Sequence, residues 1–255
     1  MGNVSERRKQ PPQVGVSVVI LALGPVPQSD VGAGAASSGM GSTLWMPLVK
    51  RVRQPFLGQW ALPGGGLRAD HSLEQSAYAA LESTTSLHPK YLEQLYTFGD
   101  PARSHGGLPM VSIVYWALVG EADGRIDFAG GDNVKWFPVN HLPELAFDHR
   151  TIVEYAMNRL RGKIESPDIA TRLVGERFTL SQLHDVYEAI AGQRIDLANF
   201  RRNMPASGLL EDTGENPRIG RNRPAAASRH SRQPATASGT DAGTAPPTPA
   251  TRIAF

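Results

Sequence analysis

Between Leu62 and Leu87 the chain reads LPGGGLRADHSLEQSAYAALESTTSL, and the chemistry open to this stretch depends on where its carboxylates fall. Mg²⁺ takes hard oxygen ligands, chiefly carboxylates, and a helix can supply them when acids stack on one face, one and four residues apart. One face with that spacing carries Ala80, Ser83 and Thr84, which cannot hold Mg²⁺ against water. Glu82 lies about 100° round the helix from Ser83. Asp70 and Glu74 stand in the loop and the first turn, where they could replace the missing ligands or simply be solvated near the positive end of the helix dipole. Around the stretch stand Arg51, Arg53, Trp60, Arg68, Asp100 and Arg103. Their side chains suit phosphate, base and ribose contacts, and suit ion pairing and packing equally well.

A second group lies in FTLSQLHDVYEAIAGQRIDLANFRRNMPASGLLEDTGE, Phe178 to Glu215. Leu197, Phe200 and Met204 recur at helical spacing and are expected to pack inward. Asn199, Arg201, Arg202 and Asn203 then point outward, and these side-chain types read adenine and guanine edges. Thr179, Ser181, Arg218 and Arg221 complete the set of candidate DNA contacts. From Arg194 to the C-terminus the chain has nine basic residues against five acidic, and all nine are arginines. Arginine forks match phosphates and guanine edges, although a solvated basic tail has the same composition.

Two kinds of element must hold these residues. Val14–Leu23 and VSIVYWALVG are apolar, β-branched runs of the kind expected in a sheet interior. TLWMPLVKRV, QLYTFGD and VKWFPV supply further strands, and Gly24–Ser42 reads as a Gly/Ala/Ser-rich loop. Ser72 can cap a helix with Leu73, Ala77, Leu81 and Leu87 on its apolar side. Asp148–Arg161 is a second helical pattern, with Ile152, Tyr155, Ala156 and Leu160 on one face. Beyond Ser166-Pro167 the texture is helical and short-looped. Thr179 and Gln182 form a capping box, Gly192 ends that helix, Asp196 caps the next and Met204-Pro205 ends it. Helix, four-residue turn, helix and strand are the proportions of a winged helix-turn-helix.

The expected architecture is α+β. A disordered N-terminus, 1–13, precedes a mixed sheet flanked by helices, 14–162, and a winged helix follows at 165–220. Residues 222–250 are too rich in Ala, Pro, Thr, Ser and Arg to fold, and 251–255 are a candidate second wing strand. The absence of cysteine excludes disulfides and thiolate metal sites. No apolar run reaches the roughly 18–20 residues that span a bilayer. VGVSVVILAL is better explained as a buried strand than as a signal segment, since no small-residue cleavage site follows it. The expected location is the cytoplasm, in association with the nucleoid.

The opening stretch resembles a Nudix box laid from Gly65 without gaps. His71 stands in the first glutamate slot, Ala79-Ala80 where Arg-Glu belongs, Ser83-Thr84 in place of the paired glutamates and Ser86 in the glycine slot. Both aliphatic anchors, Leu81 and Leu87, and the turn WALPGG are kept. The joint layout, with PFLGQWALPGG, FGDPAR, VYEAIAG and NFRR followed by ASGLLEDTGE, resembles the NrtR family of Nudix-related transcriptional regulators of NAD metabolism. That resemblance, over residues 14 to about 220, implies a homodimer on palindromic operator DNA that represses NAD biosynthesis or salvage genes. It implies release by ADP-ribose or a related NAD-derived nucleotide, with no cofactor and no resident metal. A pyrophosphatase using unusual acids and a sensor that docks a partner protein are the competing readings. With Ala80, Ser83 and Thr84 on the metal face, no hydrolysis of nucleoside diphosphate compounds is expected at millimolar Mg²⁺, and EDTA-sensitive product formation in a discontinuous assay would contradict this.

Overall fold

The structure is a computed structural model that describes residues 11–27, 41–104, 109–120, 126–164, 167–175, 177–206, 210–212 and 227–230. The expectation of a disordered start falls largely outside these residues, as do 28–40 of the expected loop and all of 251–255. Gln13, placed with the disordered segment from sequence, already belongs to the first strand and donates its N–H to Pro109 at 2.7 Å.

Strand β1, Gln13–Pro25, and β6, Met110–Val119, run parallel in register from Gln13↔Met110 to Ala22↔Val119. Their neighbours are antiparallel: β2 (Ser42–Lys50) on β1 and β5 (Tyr91–Phe98) on β6. The short β3 (Trp60–Ala61) and β7 (Val134–Pro138) pair with β2, and β4 (Gly64–Gly66) pairs with β1. The sheet order is β3-β2-β1-β6-β5. Both central strands read as unbroken apolar runs because both faces of the sheet are covered. Val18, Ile20 and Ala22 alternate with Val19 and Leu21, and the two sets enter separate cores.

Helix α1, Leu73–Thr85, covers one face through Ala77 and Leu81, which are fully buried. The expected Ser72 cap forms, with Gln75 completing the box. The other face is covered by α2, His149–Lys163, through Ile152, Ala156 and Leu160. It is covered as well by α4, Leu180–Ala191, whose Leu183, Val186 and Ile190 lie in one contiguous cluster with Leu44, Met46 and Leu48 of β2. A short helix, α3 (Pro167–Thr171), comes between, and α5 (Leu197–Ala206) follows the turn. The C-terminal half is therefore built onto the sheet rather than tethered beside it.

The small sheet of that half has the order β8-β10-β9, from Phe178–Thr179, Ala227–His230 and Leu210–Asp212. Here the sequence expectation needs correcting. Residues 227–230 lie inside the stretch read as unable to fold, yet they form the central strand, paired Ser228↔Phe178 and Ser228↔Asp212. ASRH shows no apolar alternation because main-chain bonds to two neighbours, rather than side-chain burial, define this strand. Pro205, expected to end the helix before it, instead lies within the last turn of α5.

The N-terminus of α2 ties the layers together. The N–H of Leu62 donates to Nδ1 of His149 at 2.9 Å, and Ala146 N–H donates to the Trp60 carbonyl at 2.8 Å. This fixes the strand leading into the Pro63-Gly64-Gly65 turn. Gly64, at φ +158, leaves no room for a side chain: a Cβ there would stand 2.3 Å from the Val16 carbonyl oxygen. His149 is buried, and desolvation lowers its pKa from 6.5 to about 4, against the opposing effect of Asp148. The folded state thus binds fewer protons than the unfolded chain between these values, and stability falls as pH drops through that window. The loss from this group is on the order of 3 kcal/mol between pH 6.5 and 4. His149→Gln, which can still accept the Leu62 N–H, should flatten the denaturant-derived stability profile over that range; parallel profiles for variant and wild type would contradict the assignment.

Candidate effector pocket and nucleic-acid interface

Strand β2 runs out into the loop 51–59, and the base of that loop is closed by main-chain bonds between Arg51 and Gln59 at 2.9 Å and between Gly58 and Arg51 at 2.8 Å. Arg51 lies with its guanidinium 4.5 Å above the Phe147 ring and donates through Nε to the Pro55 carbonyl at 2.9 Å. It is half-buried, and desolvation lowers its pKa. Arg53 is exposed, and Val52 and Leu57 on the same loop are 71% and 58% exposed. Trp60 is half-buried with its ring edge-on to Phe137 at 5.1 Å. Arg68 and Asp70 pair across the exposed turn before α1 at 2.9 Å, which raises the arginine's pKa and lowers the aspartate's. Asp100 accepts the Ala102 N–H at 2.7 Å and so caps the 3₁₀ turn 101–104.

Arg103 has a different role from the one expected. Its side chain is only 5% exposed, and Nε and Nη2 grip both oxygens of Asp148 at 2.8 and 2.9 Å. Nη1 donates to the Phe98 carbonyl at 2.9 Å, so the fork is saturated by protein. Burial alone would raise the Asp148 carboxyl, but the hydrogen bonds and charge of Arg103 outweigh it and hold the pKa below its ordinary value. The pair spans 45 residues and holds the FGDPAR segment to the start of α2. Neither it nor the Leu62–His149 bond leaves a periodic sequence signal.

On α1 the face lacking carboxylates is closed on itself. Ser83 and Thr84 donate to the Ala80 carbonyl at 3.0 and 2.7 Å, and Thr85 donates to Leu81 at 3.0 Å. Ser86 caps the helix at φ 56, a left-handed conformation that glycine adopts more readily. His71 leaves Nδ1 buried with no hydrogen-bond partner among the described residues.

The second constellation sits on α4 and α5. Thr179 is buried, and its hydroxyl accepts the Gln182 N–H at 3.2 Å in the capping box. It therefore builds the helix rather than facing DNA. Phe200 is buried, with its ring edge-on to His184 at 5.2 Å and to Tyr187 at 5.1 Å. Burial pushes the Tyr187 phenol up to about 12. Met204 packs at the edge of the same core, whereas Leu197, expected inward, is 37% exposed at the first turn of α5. Asn199, Arg201, Arg202 and Asn203 are all exposed. Arg201 donates to the Ser181 hydroxyl at 3.0 Å and Arg202 to the Asn199 side-chain oxygen at 2.6 Å, so two helices share one polar surface. Arg218 and Arg221 lie outside the described residues. His184, Asp185 and Glu188 bring potential metal-ligand atoms within 4.8 Å of one another. Sequence reasoning passed over them, because a buried histidine in a helical stripe looks like core.

Known proteins match this chain in two parts. Residues 33–156 match the NUDIX domain family, and residues 170–228 match the family described as NrtR DNA-binding winged helix domain. The chain is 31% identical over 182 residues to the ADPR responsive transcriptional repressor NtrR of Acinetobacter baylyi, covering 70% of this chain and 72% of that protein. It is 33% identical over 118 residues to an ADP-ribose pyrophosphatase of Methanocaldococcus jannaschii, covering 45% of this chain and 67% of that one. The crystal structure of Shewanella oneidensis NrtR complexed with a 27mer DNA superposes with a TM-score of 0.67 at 33% identity, over 86% of this chain and 93% of that one. A mixed Nudix-like sheet with helices on both faces, a winged helix after it and this likeness across both parts agree: the chain belongs to the NrtR family.

Proposed function

We propose that this protein is a ligand-responsive transcriptional repressor of NAD biosynthesis or salvage genes. It binds a palindromic operator as a dimer and is released by ADP-ribose or a related NAD-derived nucleotide. The observation that carries this reading is the exposed face of α5, where Asn199, Arg201, Arg202 and Asn203 stand free of the core while Phe200 anchors the opposite side. Asn and Arg offer bidentate contacts to adenine and guanine, and the N-terminal half of a second helix is the part that enters the major groove. The Acinetobacter relative is described as a repressor responsive to ADPR, and the Shewanella protein was crystallised on DNA. No described helix is long and apolar enough to cross a membrane.

Arg51, Arg53, Trp60, Arg68 and Asp100 remain the proposed effector contacts, and Ser181 and the four α5 residues the proposed DNA contacts. Hydrolysis of the effector does not follow from the likeness to a pyrophosphatase. Ala80, Ser83 and Thr84 bring no carboxylate, and both hydroxyls are turned back onto the helix. A dimer would present two α5 helices to one operator, as two-fold symmetry requires. ADP-ribose should weaken operator binding by roughly 5–150-fold, and operator should weaken ADP-ribose by the same factor, because coupling is reciprocal. Gel shift with and without ADP-ribose, paired with calorimetry with and without operator, reads both directions; equal affinities in either comparison would remove ADP-ribose as the effector.

A further inference from the structure

We infer that His184 and Glu188 are positioning residues that set the angle of α5 by gripping both main-chain polar groups of Ile195, and that operator preference depends on this clamp. The inference rests on the reading of α5 as the DNA-recognition helix.

Five residues, Gly192 to Asp196, separate α4 from α5. The entry of this turn is fixed by Gly192, at φ 69, whose N–H donates to the Glu188 carbonyl at 2.8 Å. Its exit is fixed by side chains. Ile195 donates its N–H to Oε1 of Glu188 at 2.9 Å, and its carbonyl lies 2.9 Å from Nε2 of His184, which must donate because a carbonyl only accepts. The next residue, Asp196, caps α5 by accepting the Asn199 N–H at 2.7 Å. The clamp therefore acts on the residue immediately before the cap of α5.

The remaining groups around the clamp stiffen it. The Glu188 side chain is 11% exposed, and its other oxygen faces the Arg194 guanidinium at 3.6 Å. The Nδ1 of His184 faces Asp185 at 3.9 Å, and burial raises the Asp185 carboxyl. The face of the same imidazole meets the edge of Phe200 or the reverse, at 76° between planes, so one histidine touches both the turn and the buried side of α5. His184 Nε2 and Glu188 Oε1, two of the potential metal-ligand atoms, are thus already committed to Ile195, and these two residues work as a brace.

The geometry makes this brace matter for specificity. Asn203 lies seven residues beyond the Asp196 cap, about 10 Å along a helix rising 1.5 Å per residue. A tilt of about 10° at Ile195 would move it by roughly 2 Å, more than the whole tolerated range of a hydrogen-bond length. Contacts to base edges would be lost, whereas phosphate contacts through flexible arginines would persist.

The test compares two DNA affinities. A duplex enriched from a random library by the wild-type chain serves as operator, and a scrambled duplex of equal composition as the reference. Glu188→Leu and His184→Leu should lose 10-fold or more in operator affinity while scrambled-duplex affinity stays within about 2-fold. Glu188→Gln, which keeps the acceptor but not the charge, should retain operator preference. Loss of both affinities together, or full operator preference in Glu188→Leu, would overturn the clamp. Should the leucine variants fail to fold, Ile195 amide exchange in the wild-type chain decides: protection supports the clamp, and exchange at the rate of an open turn overturns it. A wild-type chain that enriches no duplex would overturn the DNA reading itself, a result separate from all of these.

Discussion

Everything in this molecule depends on one apolar surface, the face of the central sheet formed by Val19, Leu21, Leu44, Met46, Leu48, Val114, Trp116 and Leu118. Two helices from different parts of the chain complete it. Ile152, Ala156 and Leu160 arrive on α2, and Leu183, Val186 and Ile190 on α4, the helix that supports α5. Interfaces between domains of one chain are usually polar and permit relative motion. This one is dry. Polar bonds frame it: Arg161 donates to the Ile190 carbonyl at 3.2 Å, and Lys163 reaches Glu93 at 3.2 Å. At Gly120 the approach is so close that a Cβ would stand 2.8 Å from the Arg172 carbonyl.

That arrangement gives a physical account of how a small molecule could govern DNA affinity. A ligand shifts an equilibrium only through different affinities for its two states. Strand β2 carries core residues against α4 and ends beside Arg51, a proposed effector contact. A change at the pocket mouth therefore meets the support of α5 within one strand. Packed cores pass such changes as discrete rearrangements, since close packing leaves little room for continuous deformation.

Much of this was legible in the sequence. Apolar periodicity marked the central strands and the helix faces, and the capping residues Ser72 and Thr179, the end at Gly192 and the cap at Asp196 appear where local chemistry put them. These signals act within four residues, so one sequence suffices to read them. What was not legible acts at long range. Arg103 meets Asp148 across 45 residues and His149 meets Leu62 across 87, and neither pairing follows from composition. Strand β10 hid in a low-complexity stretch because its definition lies in two partners. Leu197 misled because helical spacing states that a face exists but not whether a partner covers its first turn.

The proposed pocket and α5 rise from one cooperative core. Differential scanning calorimetry of the intact chain, run with and without ADP-ribose, tests it most directly. The account predicts a single transition whose calorimetric and van't Hoff enthalpies agree and which ADP-ribose moves upward as a whole. Two resolved transitions, with only the earlier or the later one moved by ADP-ribose, would contradict it.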